Sequence, residues 1–280
     1  MKELPIIQSL WIGKKLSSME QLSITSFLRN GHSFHLYVYD EVAGIPPKTI
    51  IKDANQIVPA NKIFKYKNNN SYAGFSNLFR YQLLFEKGNF WVDTDIIALK
   101  PFNFPSDYVF GSESLFLQSG FKREILKWWV NLKTSVPKLS HFPPYYLVSP
   151  KNKLQLVKIG NGIIKCPPSS HLGKYCYTKA ASRDPNTLRW GDTGPTLFSK
   201  AIIKLNLQEW VMPSEFFYPL NWWDWKWVIE DGKTEQIKII CRESYAIHLW
   251  NEMWRRKKID KDATFSPNCF YERLKQQYNV

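Results

Sequence analysis

Ser71-Tyr72-Ala73-Gly74-Phe75-Ser76-Asn77-Leu78-Phe79-Arg80-Tyr81, continued through Leu84 and Gly88 into Phe90-Trp91-Val92-Asp93-Thr94-Asp95, is the stretch on which the fold turns. Asn68, Asn69 and Asn70 precede it as a loop by composition, and Ser71 is placed to cap a helix over about 72–87. Phe75, Leu78, Phe79 and Leu83 recur at i, i+3, i+4 spacing, which puts them on one helix face. Gly88 stops the helix. Phe90-Trp91-Val92 then reads as a strand running straight into Asp93-Thr94-Asp95, with Ile96 to Leu99 still extended and Pro101 ending the unit. Period-two geometry would send both aspartates to one face. In open α/β sheets ligands bind at the carboxyl ends of strands, which is where this pair falls. Two carboxylates converging there repel each other unless a cation lies between them, and hard oxygen donors suit Mg²⁺ or Mn²⁺. Such a cation would bridge a diphosphate and neutralise charge on it as it leaves. A bare D-x-D recurs by chance, so its weight comes from its surroundings.

Working outward, Ile6 to Ile12 is a short apolar run closed by Gly13, and Ser17 and Ser18 can cap a helix reaching about Arg29, stopped by Gly31. Phe34 to Tyr39 is a second strand, closed by Asp40. Strand, helix, strand at this spacing indicates a βαβ unit and a parallel sheet. Residues 43–67 are broken by Pro46, Pro47 and Pro59. Between Pro105 and Arg189 the pattern is harder to read: Glu124 to Leu132 looks helical, while Pro143-Pro144 and Pro167-Pro168 mark loops. Gly194-Pro195 opens a helix over 196–205, since proline at a first helical turn gives up no hydrogen bond. Ala246 to Trp250 reads as a late strand. The class is α/β.

A chain of 280 residues suffices for one large α/β domain, and no linker divides it. Hydrophobic residues at 44% and charged residues at 22% exclude a disordered chain. The aromatic share is 16%, with 12 Trp, and indole faces stack on sugars and bases as readily as they fill a core. The net charge of +14 favours phosphorylated or anionic partners. Its densest run, Arg255-Arg256-Lys257-Lys258, follows the Trp250–Trp254 stretch and suits either an anionic membrane surface or a solvated tail. The chain has no helix-turn-helix, zinc-finger or RNA-recognition pattern, so a nucleic-acid partner is not expected. Cys166, Cys176, Cys241 and Cys269 form no CxxC pair; a Cys166–Cys176 disulfide and four reduced thiols are both compatible with the sequence. No signal peptide and no stretch of about 18 apolar residues is visible, which leads to the expectation of a cytoplasmic protein with peripheral attachment at the inner face of the membrane.

The run from Ser71 to Asp95 resembles the DXD-containing sugar-binding region of the family 32-type glycosyltransferases, among them α1,4-galactosyltransferase-like, yeast mannosyltransferase-like and bacterial capsule-transferase-like enzymes. That pattern is a small residue, a Ser, an acidic residue, an apolar pair, Arg, a helix ending in Gly, then an aromatic strand into D-x-D. Trp11-Ile12-Gly13, Gly194-Pro195-Thr196-Leu197, Phe217-Tyr218-Pro219 and His248-Leu249-Trp250-Asn251 are similar to further family segments. The resemblance implies a GT-A fold, a Rossmann-like nucleotide-sugar-binding domain with a mixed central sheet. Residues 1–104 would form its nucleotide-sugar half and 105–280 its acceptor-side half.

It further implies a retaining, metal-dependent transfer of a hexose to a glycan or lipid-linked acceptor in surface-polysaccharide assembly, with a UDP-sugar favoured over a GDP-sugar. Asp93, Asp95, Arg80 and Asp192 become the catalytic candidates. Trp11 and Gly13 would border the base, and Tyr72, Ala73, Ser76, Asn77, Arg80, Thr94, Trp250 and Asn251 would hold the rest of the donor. Mn²⁺ or Mg²⁺ would sit on Asp93 and Asp95, with His248 as a third ligand or, alternatively, as a buried histidine bonded to backbone. Arg80 shares a helix face with Ser76 and Asn77, expected to be a ligand face and not core. Asn77 stands where the family has Asp, which bears on the identity of the donor. Asp192 could equally be an ordinary turn residue. Trp222-Trp223-Asp224-Trp225 would suit a carbohydrate platform or a membrane-docking patch. The rival classes are a carbohydrate-binding protein without turnover and a metal-dependent phosphohydrolase.

Overall fold

The computed structural model describes residues 3–67, 70–114, 145–148 and 155–280. The helix expected at Glu124 to Leu132, the Pro143-Pro144 loop, and Asn68 and Asn69 lie outside the described residues. The chain opens with β1 (Ile7–Trp11), α1 (Ser18–Arg29) and β2 (Phe34–Val38). β1 and β2 pair in parallel, Ile7 opposite Phe34 and Trp11 opposite Val38, which is the βαβ unit expected. α1 starts with a capping box in which the Ser17 backbone N–H donates to the Glu20 carboxylate at 2.8 Å. β3 (Ile50–Asp53) adds a further parallel strand beside β2. It was illegible among the prolines because its two isoleucines face solvent at the sheet edge.

α2 (Ala73–Lys87) follows; its first N–H, on Ala73, donates to the Ser71 hydroxyl at 3.2 Å. β4 (Asn89–Val92) pairs in parallel with the other side of β1. Next come β5 (Ile96–Ala98), β6 (Val109–Ser114), β7 (Tyr145–Val148) and the long β8 (Gln155–Cys166). β8 runs antiparallel to β4, β6 and β7. The main sheet has the order β3-β2-β1-β4-β8-β6, with β7 also on β8, so it is a mixed α/β sheet as expected. Strands from before and after residue 105 share it.

Among the described residues the remaining α-helices are α3 (His171–Ala181), α4 (Pro195–Lys204), the single-turn α5 (Ser214–Phe217), α6 (Thr234–Ile240), α7 (Asn251–Lys257) and α8 (Phe270–Tyr278). α4 begins with Pro195 at its first turn, as read from the sequence. Before α7, β9 (Ala246–His248) pairs antiparallel with β5 in a separate two-stranded ladder, Ile96 opposite His248. That ladder carries His248 to the end of β4.

Alternate residues of the central strands feed two apolar layers. Trp91 of β4 joins Leu10 and Tyr37 under Phe75, Phe79 and Leu83 of α2. Phe90 and Val92 face the other way, with Ile7, Phe34, Leu36 and Phe27 of α1. Central strands buried on both faces read as near-continuous apolar runs, which explains why β1, β2 and β4 were visible in the sequence. Cys166 and Cys176 are both buried and unbridged, and all four thiols are free; burial pushes Cys166 up to about 12.

Gly88, between α2 and β4, has φ 61° and ψ −148°, a backbone conformation essentially limited to glycine. A Cβ there would lie 2.5 Å from the Pro168 nitrogen. Gly88→Ala is therefore expected to cost about 2 kcal/mol or more, read as a lowered urea midpoint at unchanged slope. A midpoint equal to wild type would show that the α2–β4 junction relaxes freely.

Candidate active site

β4 stops at Val92, opposite Ile163, and the Asp93 N–H still donates to the Gly162 carbonyl at 2.8 Å. The chain then reverses in a tight turn closed by Ile96 N–H to Asp93 C=O at 3.1 Å. Asp93-Thr94-Asp95 is thus a turn between two ladders and not the continuous extended strand expected. The period-two geometry does not apply, and the two carboxylates have different neighbours.

Asp93 is held from the sheet side. One of its oxygens accepts from the Trp91 indole N–H at 2.8 Å and from the Arg80 guanidinium at 3.0 Å. Arg80 reaches it from α2 and lies 4.7 Å from the Trp91 ring centre. It also donates to the Asn161 carbonyl and, at 3.2 Å, to the Ser76 hydroxyl. Arg80 is only 4% exposed, so its face is buried, contrary to the expectation of a ligand face separate from the core. The reason is that the guanidinium reaches from α2 to the Asn161 carbonyl midway along β8 and to Asp93 at the end of β4, and is enclosed between them.

Asp95 is held from the opposite side, by the C-terminal part of the chain. Its Oδ2 accepts from the Asn251 backbone N–H at 2.9 Å and stands 2.9 Å from His248 Nε2. Burial alone would raise this carboxyl, but His248 and the Asn251 N–H outweigh it and hold the group below its ordinary value. For His248 burial acts downward, and Asp95 reverses it, leaving the imidazole raised. Trp250 joins β9 to α7 in the left-handed region, φ 58° and ψ 50°, a strained choice for a tryptophan. Its indole N–H donates to Leu220 C=O at 2.9 Å and its ring lies 4.1 Å from that of His248.

Asp93, Asp95 and His248 do not make a three-ligand cage: among the described residues no group of three His, Cys, Asp or Glu is placed to hold a metal. The His248 Nε2 is turned to Asp95, and its Nδ1 is buried without a hydrogen-bond partner. In this arrangement His248 buttresses Asp95. Two carboxylates still fit a Mg²⁺- or Mn²⁺-type ion, which commonly takes one or two protein carboxylates and completes its shell with phosphate oxygens and water.

Two adjoining chambers open around this turn. The first, about 420 Å³, is lined by Trp11, Tyr72, Ala73, Ser76 and Arg80 on one side. Asp93, Thr94, Asp95, His248, Trp250 and Asn251 line the other. The Trp11 ring lies 5.8 Å from the Lys261 ammonium, and its buried indole N–H has no partner. The second chamber, about 480 Å³, shares Arg80, Asp93, His248 and Trp250 with the first and adds Asn77, Glu113, Lys158 and Asn161. Three sequence candidates fall elsewhere. Gly13 lines neither chamber and sits against the Trp11 ring. Asp192 lines neither; its carboxylate accepts from the Arg189 N–H at 3.2 Å and faces that residue's guanidinium at 3.8 Å, as a turn aspartate does. Asn77 lines the second chamber only.

The Arg255–Lys258 run is not one uniform cationic patch. Glu252 accepts from both Arg255 and Arg256 at 2.8 Å, and the two arginines border the first and second chamber respectively. No described helix is long and apolar enough to cross a membrane.

Sequence reasoning missed Asn161, Glu113, Lys158, Trp190, Glu252 and the role of Tyr218. Tyr218 was quoted only as part of a segment. Its ring occupies space cleared by two glycines: a Cβ at Gly111 would lie 2.6 Å from the ring, and one at Gly162 would lie 2.8 Å from its hydroxyl and 3.0 Å from Asp93 Oδ2. Burial first, then Asp93, Glu113 and Asp95, keep the phenol protonated far above its usual range. The spaced Gly160-Asn161-Gly162 in β8 was the available signal, since glycine inside a strand marks close approach by another group.

Residues 184–278 match the family model described as the alpha 1,4-glycosyltransferase conserved region. Lactosylceramide 4-alpha-galactosyltransferases of Pongo pygmaeus and Homo sapiens are each 34% identical over 74 residues, 22% of this chain and 34% and 21% of those proteins. The Mus musculus protein of that name is 31% identical over the same length. The match thus spans between 21% and 34% of the length of these relatives. Among solved structures, "PaToxG Glycosyltransferase" superposes with TM-score 0.40 at 14% identity, over 99% of this chain and 86% of that one. "WbbM bifunctional glycosytransferase" superposes with TM-score 0.45 at 10% identity, over 99% and 50%. Superpositions this loose bear on neither fold nor function. The family match contains Gly194-Pro195, Phe217-Tyr218-Pro219 and His248-Leu249-Trp250-Asn251, and lies downstream of the Ser71–Asp95 run. The resemblance expected from the sequence is therefore present in the C-terminal third of the chain, which matches the conserved region of the alpha 1,4-glycosyltransferases.

Proposed function

We propose that this protein is a glycosyltransferase that moves a hexose from a nucleotide-sugar, a UDP-sugar in preference to a GDP-sugar, to a glycan or glycolipid acceptor. The observation that carries the reading is the Asp93-Thr94-Asp95 turn at the junction of two chambers, one of them bordered by Trp11. The match of residues 184–278 to the conserved region supports it from the other end of the chain. That region supplies His248, Trp250 and Asn251 to the same junction.

The chain's own residues divide the work. Trp11 offers a flat face for a base. Arg80 and the Trp91 indole fix the Asp93 carboxylate through one oxygen. The Asn251 N–H and His248 fix Asp95 through Oδ2. Asp93 and Asp95 would then hold Mn²⁺ or Mg²⁺, which when bound supplies positive charge to the diphosphate leaving group. Retention of anomeric configuration is part of the proposal on the strength of the family resemblance. A metal-dependent phosphohydrolase fits less well, because residues 184–278 match a glycosyltransferase region.

The test is a donor panel. The purified protein is incubated with UDP- and GDP-linked hexoses and Mn²⁺, nucleotide release is followed, and the product's anomeric configuration is read by NMR. Release from a UDP-sugar with transfer to an added glycoside is expected. Release of nucleotide from none of the donors would overturn the reading. An inverted product would overturn retention alone.

A further inference from the structure

We infer that the second chamber is the acceptor subsite, and that it is built for an uncharged, hydroxyl-rich sugar; the inference rests on the transferase reading above. It borders Arg80, Asp93, His248 and Trp250 in common with the first chamber, so whatever it holds lies beside the end of the donor that would react. Its volume of about 480 Å³ is in the range of small-molecule sites.

Three indoles line it: Trp190 and Trp250, which also line the first chamber, and Trp222, which does not. Trp190 is 47% and Trp222 49% exposed, unusual for the largest apolar side chain. Trp190 is braced, its ring 5.4 Å from Tyr66 and 6.0 Å from the Arg256 guanidinium, and Trp222 stands edge-to-face with Trp223 at 5.6 Å. Fixed aromatic faces beside polar groups are suited to the CH-rich face of a pyranose.

The charges decide what kind of sugar. Although the protein carries +14 overall, among the described residues every Lys and Arg lining this chamber has a carboxylate partner: Arg80 with Asp93 at 3.0 Å, Lys158 with Glu113 at 3.2 Å, Arg256 with Glu252 at 2.8 Å. An anionic sugar would have to compete with one of those carboxylates. A neutral sugar need not, because its hydroxyls accept from the cation and donate to the carboxylate of the same pair. The same placement changes the meaning of Asn77. Its Oδ1 accepts from Asn161 Nδ2 at 2.9 Å, both residues line this chamber, and Asn77 does not line the first. Asparagine at this position therefore bears on the acceptor and not on the donor.

Calorimetry of the full chain with UDP and Mn²⁺ present tests this, using neutral octyl glycosides (glucoside, galactoside, mannoside and lactoside) against octyl glucuronide. UDP affinity is measured separately as the check on folding. Wild type is expected to bind at least one neutral glycoside and to prefer it to the glucuronide. Trp222→Ala is expected to weaken that binding about tenfold, the scale of one lost stacking face. Glu113→Gln, which leaves Lys158 without its carboxylate, is expected to move the preference toward the glucuronide. UDP affinity should stay within about twofold of wild type in both variants, since neither residue lines the first chamber. The inference is overturned if wild type binds UDP but no neutral glycoside, if the glucuronide binds as tightly, or if both variants bind glycosides as wild type does. Absence of both UDP and GDP binding by the wild type would instead bring down the transferase reading beneath it.

Discussion

Asp95→Ala is expected to lower transfer by well over ~100-fold, and EDTA to abolish wild-type transfer until Mn²⁺ or Mg²⁺ is restored. The size follows from how the carboxylate is held. Asp95 is 8% exposed, and its Oδ2 gathers the Asn251 N–H and His248 Nε2, each at 2.9 Å. Burial opposes its charge, and these neighbours more than compensate, so the group is ionised at neutral pH. Sign and consequence agree: a carboxyl held below its ordinary value adds stability above the unfolded value, and that stability is lost as pH falls through the folded one. Alanine would remove the carboxylate that His248 Nε2 faces, while Nδ1 has no hydrogen-bond partner among the described residues, so some loss of stability is expected as well. Asp95→Asn separates the two effects. It keeps the size of the side chain and an acceptor for the Asn251 N–H, but not the charge a cation needs. A folded Asp95→Asn protein with little transfer and no response to Mn²⁺ is the expected result. Wild-type transfer undiminished in EDTA would remove the metal from the mechanism.

The sequence carried the parts of this site that depend on local pattern. Strands buried on both faces gave β1, β2 and β4, and the apolar stripe Phe75, Phe79, Leu83 with Gly88 gave α2. Gly194-Pro195 gave α4 for the reason that holds in any helix. What local pattern cannot carry is which distant segments meet. Nothing in Asp93-Thr94-Asp95 says that β4 ends one residue before it and that a second ladder, β5 with β9, begins one residue after it. Without that, the two aspartates seemed to share a strand face, and His248 seemed as close to Asp93 as to Asp95. Glu113 and Lys158 lie 45 positions apart and become a pair only when β6 and β8 align. Asp192 misled in the opposite way: its neighbours Gly191 and Gly194 look like a ligand loop, whereas its carboxylate closes its own turn on Arg189. The basic run after Trp254 suggested a surface patch because sequence does not show that Glu252, three and four residues earlier, takes both arginines.

Arg80→Ala is expected to reduce transfer at least as strongly as loss of Asp95 and, unlike a surface substitution, to destabilise the fold. The guanidinium holds three elements at once: Asp93 at 3.0 Å after β4, the Asn161 carbonyl in β8, and Ser76 one turn back on α2 at 3.2 Å. Removing one partner of a fully buried ion pair costs about 3–5 kcal/mol. Here the Asp93 side chain is 31% exposed while that of Arg80 is 5%, so water recovers part of the loss, and about 1–3 kcal/mol is expected in urea denaturation. The catalytic loss has a separate origin. Without Arg80, Asp93 keeps only the Trp91 N–H at 2.8 Å, and its carboxylate is free to swing from the position the leaving group needs. Arg80→Lys distinguishes the two. An ammonium restores the charge opposite Asp93 but cannot reach Asp93, Asn161 and Ser76 together, since one terminal nitrogen of the planar fork serves Asp93 and Ser76 while the other reaches the Asn161 carbonyl. The lysine variant is therefore expected to recover most of the stability and little of the transfer, with kcat falling more than donor KM rises. Equal recovery of both would mean that charge alone is needed at this position. Wild-type stability in Arg80→Ala would mean that α2 does not depend on the guanidinium to seat it against β8.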